Sequence, residues 1–270
     1  MIYAMSDIHG CYDELLENMK YIDLSGDNRI VFCGDYMDYG PKSGQVLRYI
    51  YDLQKKFGKD KVIVLKGNHE SMFLTWIKEY SNIKNRFMDV CTLDLWLKTD
   101  LELGGITFNT LVSDEQMNEF NRIDRKANVT EISTTAVRMI METSGDIVNW
   151  LRDLPAYYET NTQIFVHAGV NEGAGTQWKW SGKENMLWKY PHTIGRFIKT
   201  IIAGHIGTST ISGDRDFHDI YFDGESHYFI DGTVYKEGKL LLLGYDEKTA
   251  KYYQIDSKGM QEVLAYKVSK

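Results

Sequence analysis

The chain has 270 residues, of which 43% are hydrophobic and 26% are charged, and its net charge is −7. This composition is typical of a globular protein with a substantial core and excludes a disordered or fibrous chain. The negative charge argues against a nonspecific nucleic-acid binder, because such proteins need a surplus of Lys and Arg to displace counterions from phosphates. Only three prolines occur and no linker-like tract is present, so we predict a single domain over residues 1–270.

The first third of the chain alternates short apolar runs with helical patterns. The apolar runs, at 2–5, 30–33 and 62–65, each end in a polar turn that contains glycine, as strands buried on both faces do. Between them, residues 13–21 and 43–57 carry apolar side chains at helical spacing. This alternation predicts parallel strands joined by crossover helices.

The middle of the chain, from residue 71 to 155, has a mostly helical pattern and predicts a helical insertion lobe. Strand signals return at 164–166 and 201–203. The remaining short runs are closely spaced and separated by glycines, at 218–222, 227–231, 239–244 and 251–255. They predict an antiparallel meander. The fold class is therefore α/β (α+β), with two sheets packed face to face as a β-sandwich and helices outside.

The cysteines and the apolar segments favour a cytoplasmic protein. Cys11, Cys33 and Cys91 are widely spaced and odd in number, which suits neither a disulfide framework nor a zinc-binding pair. The first residues lack the basic and apolar parts of a signal peptide. No apolar stretch reaches the length of a transmembrane helix, so we expect no association with membranes.

Residue types that bind metals follow five of the predicted strands, at Asp7 and His9, Asp35, Asn68 and His69, His167, and His205. Ligands of open α/β sheets bind beyond the carboxyl ends of the strands, so we expect these side chains to meet. Carboxylate, imidazole and amide donors together suit Mn, Fe, Zn or a similar divalent ion. Two ions need a shared anionic ligand, which Asp35 is placed to supply. Asp7 and His9 then complete one ion, and Asn68, His167 and His205 complete the other.

Each motif alone has a plainer interpretation. A single histidine at a strand end is more often a hydrogen-bonded structural residue, and Gly-Asp and Gly-Asn pairs are common in turns. Four of the seven histidines lie in these motifs, however, and chance placement of that kind is improbable. The motifs together therefore predict a centre for two metal ions.

The motifs carry a resemblance to a known family. They are Ser-Asp-Ile-His-Gly at 6–10, Gly-Asp-Tyr-Met-Asp-Tyr-Gly at 34–40, Gly-Asn-His-Glu at 67–70, Val-His-Ala-Gly at 166–169 and Gly-His at 204–205. In this order they resemble the calcineurin-like metallophosphoesterase superfamily. Within it they are most similar to the phosphoprotein phosphatase branch, which includes serine/threonine phosphatases and bacterial diadenosine tetraphosphate hydrolases.

The resemblance implies a two-sheet β-sandwich flanked by helices, and it supports the ligand set above. It also implies that His69 is the general acid, held by Asp38, and not a metal ligand. Two ions lower the pKa of a bridging water and hold the phosphoryl oxygens for in-line attack by the resulting hydroxide. A positioned imidazolium then protonates the leaving oxygen.

Two phosphate-binding arginines of this branch are replaced here. The branch usually has Asp-Arg-Gly where this chain has Asp38-Tyr39-Gly40, and a later Trp-x-Arg where it has Trp188-Lys189-Tyr190. We predict that Tyr39, Lys189 and Tyr190 contact substrate, although tyrosine cannot copy the bidentate fork of arginine. Arg196 and Arg215 are further candidates. Tyr36, Tyr39 and Tyr190 either form a stacking surface or simply line the rim of the sandwich.

Three functions remain open from the sequence. The leading hypothesis is a phosphatase acting on a phosphorylated protein or a small phosphomonoester, similar to serine/threonine protein phosphatases. The alternative is a hydrolase of dinucleoside polyphosphates, which would use the same ions but needs a nucleoside pocket. The third is a degenerate family member that binds metal or a partner without catalysis; the missing arginines motivate it, and the complete ligand set argues against it.

Overall fold

The structure is a computed structural model, which describes residues 1–81, 95–123, 128–236 and 238–267. The strands are β1 (Ile2–Met5), β2 (Arg29–Phe32), β3 (Val62–Val64), β4 (Tyr157–Glu159), β5 (Gln163–Val166), β6 (Thr200–Ala203), β7 (Tyr221–Phe222), β8 (His227–Phe229), β9 (Leu243–Asp246), β10 (Lys251–Asp256) and β11 (Gly259–Glu262). The helices are α1 (Tyr12–Met19), α2 (Ser43–Phe57), α3 (Asn68–Tyr80), α4 (Leu95–Glu102), α5 (Phe108–Leu111), α6 (Asp114–Phe120), α7 (Val129–Arg152), α8 (Glu184–Trp188) and α9 (Thr208–Ser212), and Glu172–Trp180 forms a 3₁₀ segment.

The strands form two mixed sheets. The first has the order β11-β10-β9-β1-β2-β3, and the second has the order β4-β5-β6-β8-β7. Each sheet has a parallel trio at its centre or side: β1, β2 and β3 in the first, and β5, β6 and β8 in the second. The other pairings are antiparallel. The predicted fold class, a two-sheet sandwich flanked by helices, is confirmed.

Both faces of the central strands are buried, which explains their unbroken apolar runs. In β1, Ala4 packs into the cluster between the sheets, together with Phe165 and Ile202 of the second sheet. Met5, on the other face of β1, packs against the helical side of the first sheet, where Trp76 of α3 also lies. A third cluster covers the outer face of the second sheet. Burial of apolar surface on all these faces holds the layers together.

The prediction of a C-terminal antiparallel meander is wrong in its connectivity. The strands lie close to the predicted positions, but they divide between the two sheets: β7 and β8 join the second sheet and β9 to β11 join the first. Moreover, β8 runs parallel to β6, with Ile201 opposite His227. A run of apolar residues predicts where a strand lies but not which strand it pairs with. The parallel pairing matters because it brings the carboxyl end of β8 to the same edge as those of β5 and β6.

Helices α3 to α7 occupy the part of the chain where a helical lobe is predicted, and α7 packs against α2 and α3. Residues 82–94 and 124–127 of that predicted lobe lie outside the described residues. Within the described ranges, no helix has both the length and the apolar character that crossing a membrane requires.

Candidate dinuclear metal centre

The loops that follow the parallel strands interlock through their backbones. The amide of Asp7 donates to the carbonyl of Gly34 over 3.0 Å, and the amide of His9 donates to the carbonyl of Asp35, also over 3.0 Å. These two bonds fix the first loop against the second. The side chains of both loops are therefore held at the edge where the strands end.

The backbone at this edge is strained. In the described chain eight non-glycine residues have a positive φ angle, and six of them lie here: Asp7, His9, Asp35, Asp38, Tyr39 and His205. Such conformations cost on the order of 1–3 kcal/mol each and persist only where the surroundings enforce them. Their concentration at one edge marks it as a functional site.

The carboxylate of Asp35 lies at the centre of the site. Its Oδ1 accepts a hydrogen bond from the His69 amide over 3.1 Å. Its Oδ2 lies 3.6 Å from Nε2 of His9 and 3.4 Å from Nε2 of His167. Two groups of metal-binding side chains result, His9–Asp35–His69 and Asp35–His167–His205, and within each group the donor atoms lie within 4.8 Å of one another. Asp35 belongs to both groups, which is the position of a shared ligand.

The remaining predicted ligands adjoin these groups. Oδ1 of Asp7 lies 3.9 Å from Nε2 of His9, and its Oδ2 accepts a hydrogen bond from the His205 amide over 2.9 Å. Oδ1 of Asn68 lies 2.7 Å from Nε2 of His167. The structure thus places all six predicted ligands, including Asp7 and Asn68, at one edge of the sandwich.

Backbone carbonyls orient two of the imidazoles. Nδ1 of His9 lies 2.8 Å from the Met37 carbonyl, and Nδ1 of His167 lies 3.0 Å from the Cys33 carbonyl. Because a carbonyl oxygen can only accept a hydrogen bond, Nδ1 of each ring carries the hydrogen. Nε2 of each ring then has a free electron pair, and it faces Asp35. Burial lowers the pKa of His9 to about 4 and also lowers that of His167. Both rings are therefore neutral, the form that binds metal ions.

The carboxylates of the site fit bound cations. Burial, together with the charges of Asp231 and Asp35, raises the pKa of Asp7 well above its ordinary value. Burial and Asp35 likewise raise the pKa of Asp231 to about 6. Buried carboxylates that face one another are unstable as anions unless positive charge lies between them. The donor types and this excess of negative charge both suit two divalent ions.

Two glycines leave room for these carboxylates. A Cβ atom at Gly67 would lie 2.1 Å from Oδ1 of Asp35, and one at Gly204 would lie 2.0 Å from Oδ2 of Asp7. Any larger residue at either position would therefore displace the carboxylate next to it. The glycines before Asn68 and His205 therefore have a steric reason.

Glu70 is a part of the site to which sequence reasoning assigned no role. Its carboxylate is fully buried and accepts hydrogen bonds from the amides of Asp35, Tyr36 and Gly67 over 2.8–3.0 Å. These bonds tie the loop after β2 to the start of α3. Glu70 thereby holds the backbone that presents Asp35.

His69 and Asp38 form a hydrogen-bonded pair beside the candidate ligands. Nδ1 of His69 lies 2.7 Å from Oδ2 of Asp38, and its Nε2 lies 3.8 Å from Oδ2 of Asp35. Burial lowers the pKa of His69, but the charges of Asp35 and Asp38 outweigh it and raise the pKa to about 9. A protonated ring suits a proton donor better than a metal ligand, although His69 also belongs to one of the two donor groups.

Residues of α4 and the turn before α5 hold Asp38 in place. The indole N–H of Trp96 lies 3.2 Å and 3.3 Å from the two carboxylate oxygens. The hydroxyl of Thr107 donates to Oδ1 over 2.8 Å. Asp100 in turn accepts from the amides of Thr107 and Phe108. Sequence reasoning missed Trp96 and Thr107, because a contact across 58 or 69 residues leaves no local pattern.

The tyrosines singled out from the sequence have different surroundings. Tyr36 is fully buried, and its hydroxyl lies 2.6 Å from the Leu65 carbonyl, so it belongs neither to an exposed stacking surface nor to the rim. Tyr39 is 41% exposed. It stacks on Tyr235 with ring centroids 4.3 Å apart and an angle of 13°, and both rings contact His9 edge-on. Tyr190 is exposed and lines the same cleft as His205.

Lys189 is engaged away from the candidate ligands. Its ammonium group lies 2.6 Å from Oε1 of Glu172, 2.7 Å from the Val170 carbonyl and 2.6 Å from the Thr193 hydroxyl. Three partners use all three N–H donors of the lysine. The predicted contact of Lys189 with substrate phosphate finds no support in this geometry.

A basic cleft borders the centre at His205. It has a volume of about 700 Å³ and runs from His205 and Tyr190 to Tyr235. Its basic side chains are Arg215, His218 and Lys236. Of the two arginines left open by the sequence, Arg215 lies here. The cleft can attract an anionic group next to the metal centre.

Asp231, which follows β8, is a candidate ligand that sequence reasoning missed. It is 6% exposed and accepts a hydrogen bond from the Thr233 amide over 2.7 Å. Its charge acts on Asp7, as noted above. The signal was available, since Asp231 follows an apolar run as Asp7 and Asp35 do. A strand of an antiparallel meander, as predicted there, gives no reason to place Asp231 at the metal-binding edge, whereas the parallel pairing of β8 with β6 does.

Two groups of imidazole and carboxylate donors that share one carboxylate are the arrangement with which two-metal enzymes act on phosphate esters. The fold and the site thus define a metal-dependent hydrolase. Residues 1–208 match the family model described as calcineurin-like phosphoesterase, and the chain belongs to this family.

Curated relatives are similar to this chain over short segments, and they include enzymes of two kinds. The catalytic subunit A2 of serine/threonine-protein phosphatase 2B from Saccharomyces cerevisiae is 37% identical over 100 residues, which is 36% of this chain and 15% of that protein. The asymmetrical bis(5'-nucleosyl)-tetraphosphatase PrpE of Bacillus velezensis is 36% identical over 83 residues, which is 27% of this chain and 32% of that protein. The matched segments thus span no more than about a third of these relatives.

Solved structures share the fold over almost the whole chain. A cold-active protein-tyrosine phosphatase from a psychrophilic Shewanella has a TM-score of 0.58 at 16% identity and covers 97% of this chain and 80% of its own. A protein serine/threonine phosphatase from Saccharomyces cerevisiae has a TM-score of 0.51 at 13% identity and covers 100% of this chain and 80% of its own. These similarities establish the fold and leave the substrate open.

Proposed function

We propose that this enzyme hydrolyses phosphomonoesters, on small molecules or phosphorylated proteins, with two divalent metal ions and with His69 as the general acid. The observation that carries the proposal is the position of the His69–Asp38 pair beside two donor groups that share Asp35. A relative from yeast whose name is serine/threonine-protein phosphatase 2B adds support for this substrate class.

The ligand roles in the proposal follow the donor groups. Asp7 and His9 hold one ion, Asn68, His167 and His205 hold the other, and Asp35 bridges them. When bound, such ions (Mn, Fe or Zn) lower the pKa of a water and polarise the phosphoryl oxygens. Asp231 adds negative charge next to Asp7 and favours retention of the first ion.

The protein's own acid completes the reaction. An ester oxygen leaving phosphorus needs a proton, and the carboxylates of Asp35 and Asp38 outweigh burial and raise the pKa of His69, which favours its protonated form. Asp38 fixes the ring through Nδ1 and leaves Nε2 facing the centre. A positioned acid of this kind contributes on the order of 10²–10⁴-fold to the rate.

A second candidate function is hydrolysis of dinucleoside polyphosphates. The basic cleft of about 700 Å³ favours it, because such a substrate carries further phosphates and a nucleoside beyond the phosphoryl group that reacts. Pockets for small molecules have volumes of about 300–1,000 Å³. The Bacillus velezensis relative named as a bis(5'-nucleosyl)-tetraphosphatase points the same way.

One assay separates the two candidates. Purified protein supplied with Mn²⁺ is offered a phosphoserine peptide, phenyl phosphate and diadenosine tetraphosphate, and release of phosphate or nucleotides is followed. Turnover of the peptide or of phenyl phosphate supports the proposal. Turnover of the dinucleotide alone overturns it in favour of the second candidate.

The same assay tests the third possibility, a degenerate protein that binds metal without catalysis. Chelator-treated protein and His69→Asn are the matched controls. Hydrolysis that needs added Mn²⁺ and is lost in His69→Asn excludes the degenerate protein. Absence of turnover on every substrate, in protein that retains two ions, overturns both enzymatic proposals.

A further inference from the structure

A cavity of about 160 Å³ lies next to His69. Its walls are mostly apolar and come from three parts of the chain: Met72 of α3, Trp96 and Thr99 of α4, and Leu103 just after α4. Tyr39 closes one side, and Asp38 and His69 lie at its floor. The phosphate chemistry described above leaves this cavity without a role.

The position of the general acid decides which part of a substrate can enter the cavity. His69 must reach the oxygen that leaves phosphorus, so the group attached to that oxygen lies on the His69 side. The ring of His69 is fixed by Asp38 and cannot turn to another side without losing that bond. His69 lines the cavity and also belongs to one of the two donor groups, so the cavity adjoins the position of the leaving group.

From this geometry we propose that the cavity is a leaving-group site that takes a single aromatic ring, so that the preferred substrates are aryl phosphate esters. The inference rests on the proposed function and specifies its substrate class. A dry cavity of about 150 Å³ lined by apolar side chains binds benzene, and this cavity has a volume of about 160 Å³. One ring fills it.

The walls suit an aromatic ring in shape and stiffness. Trp96 is 6% exposed and is anchored to Asp38 through its indole N–H. Tyr39 is held by its stacking on Tyr235. Rings of this kind pair well with another ring in stacked or edge-on contact, for about 0.5–1.5 kcal/mol beyond area burial. Two fixed aromatic walls therefore favour a flat apolar group over a flexible alkyl chain.

The carboxylates around the cavity disfavour an anionic leaving group. The described residues that line it include the carboxylates of Asp38 and Asp100 and no lysine or arginine. A nucleoside diphosphate leaving group would meet these two carboxylates there, and His69 is the one cationic side chain among the described lining residues. A phenol, neutral once His69 has protonated it, meets no such repulsion.

The step balances in atoms and charge. A water oxygen bonds to phosphorus and the bond between phosphorus and the aryl oxygen breaks. The proton of His69 moves to that oxygen, which gives a phenol, and the proton released by the water returns to His69 through solvent. The products are the phenol and inorganic phosphate, and no other reactant is consumed.

The test compares phenyl phosphate with ethyl phosphate in matched leucine variants. Leu103 lines the cavity and is 47% exposed, whereas Leu101 in the last turn of α4 is 38% exposed and lies outside it. We expect Leu103→Ser to lower the ratio of kcat/KM for phenyl over ethyl phosphate by about tenfold, the lower end for a lost apolar contact in a pocket. Leu101→Ser should leave the ratio unchanged. Because each variant acts on both esters, the difference in leaving-group acidity cancels.

A binding measurement keeps the inference separate from the proposed function. Ligand-observed NMR of phenol with the metal-free protein should show binding that Leu103→Ser weakens and Leu101→Ser does not. Equal ratios and equal phenol binding in both variants overturn the leaving-group site, while hydrolysis of either ester leaves the proposed function standing. Loss of all hydrolysis together with Leu103-dependent phenol binding overturns the proposed function and not the aromatic site.

Discussion

Nδ1 of His69 lies 2.7 Å from Oδ2 of Asp38, and this pair lies between the donor groups for metal ions and the aromatic cavity. Asp38 receives three further contacts, two from Trp96 and one from Thr107. Its carboxylate is therefore fully occupied by donors that fix its plane. The hydrogen bond to this fixed carboxylate also fixes the orientation of the His69 ring, and Nε2 of the ring faces Asp35.

Replacement of His69 by Asn should remove the acid and leave the metal site intact. We expect kcat on phenyl phosphate to fall by about 10²–10⁴-fold, the contribution of a positioned general acid. Metal content measured by inductively coupled plasma mass spectrometry should remain at two ions per chain. His192→Asn is the control, because His192 packs against Phe229 on the second sheet. Turnover that survives in His69→Asn removes this residue from the mechanism.

Replacement of Asp38 by Asn should move the alkaline limb of the pH–rate profile. Burial lowers the pKa of His69, and the charges of Asp35 and Asp38 raise it to about 9. A general acid works only while protonated, so activity is lost as pH rises through that pKa. Without the Asp38 charge the pKa falls, and the limb should move by about one pH unit or more toward lower pH. An unmoved limb with reduced kcat would mean that another group sets the profile.

Replacement of Asp35 by Asn should lower the number of bound ions, since Asp35 is the one carboxylate common to both donor groups found in the described residues. An amide offers one neutral oxygen and cannot bridge two cations as a carboxylate does. We expect titration calorimetry with Mn²⁺ to show two sites in the wild type and at most one in Asp35→Asn. The exposed Asp216→Asn serves as control. Two sites of unchanged affinity in Asp35→Asn would disprove the bridging role.

The six candidate ligands could be read from the sequence because of how the central strands are buried. A strand with both faces covered is an unbroken apolar run, so its end is visible, and parallel strands end at a common edge. Asp7, Asp35 and His167 follow such runs directly or after a short turn. The structure brings them together, although their roles as ligands stay predictions.

The features of the site that the sequence does not predict depend on contacts between segments that are distant in the chain. The position of Asp231 at the metal-binding edge depends on the parallel pairing of β8 with β6. An apolar run does not indicate which strand it pairs with. Trp96 reaches Asp38 across the fold, and Glu172 captures the ammonium group of Lys189. Such contacts follow from packing of the whole chain, which no local pattern encodes.

Glu172, which lies beside the second sheet, should affect how the thermal stability of the protein depends on pH. It contacts Lys189 at 2.6 Å and His227 at 3.3 Å. Burial raises its pKa, but the ion pairs with His227 and Lys189 outweigh burial and lower the pKa to about 2. For His227, burial lowers the pKa, and Glu172 and Asp223 outweigh it and raise the pKa.

The signs of these two shifts define a pH window. A carboxylate with a depressed pKa stabilises the fold above its ordinary pKa of 4.5 and loses this contribution as pH falls toward 2. A histidine with a raised pKa stabilises the fold below its ordinary pKa of 6.5 and loses this contribution as pH rises through the raised value. Both contributions are complete between these two ordinary values.

We therefore expect Glu172→Gln to lower the Tm most between those two pH values. The loss should be about 2–4 °C, which corresponds to about 1 kcal/mol in a chain of this size. It should shrink as pH falls below 4.5, because the carboxyl group of Glu172 then takes up a proton in the unfolded chain while it stays ionised in the folded protein. It should also shrink at higher pH, where His227 loses its charge, with a remainder due to Lys189. Thermal melts from pH 3 to 9 measure this, and Glu102→Gln, in an exposed pair at 3.8 Å, is the control. A loss that grows steadily above pH 6.5 would contradict the part assigned to His227.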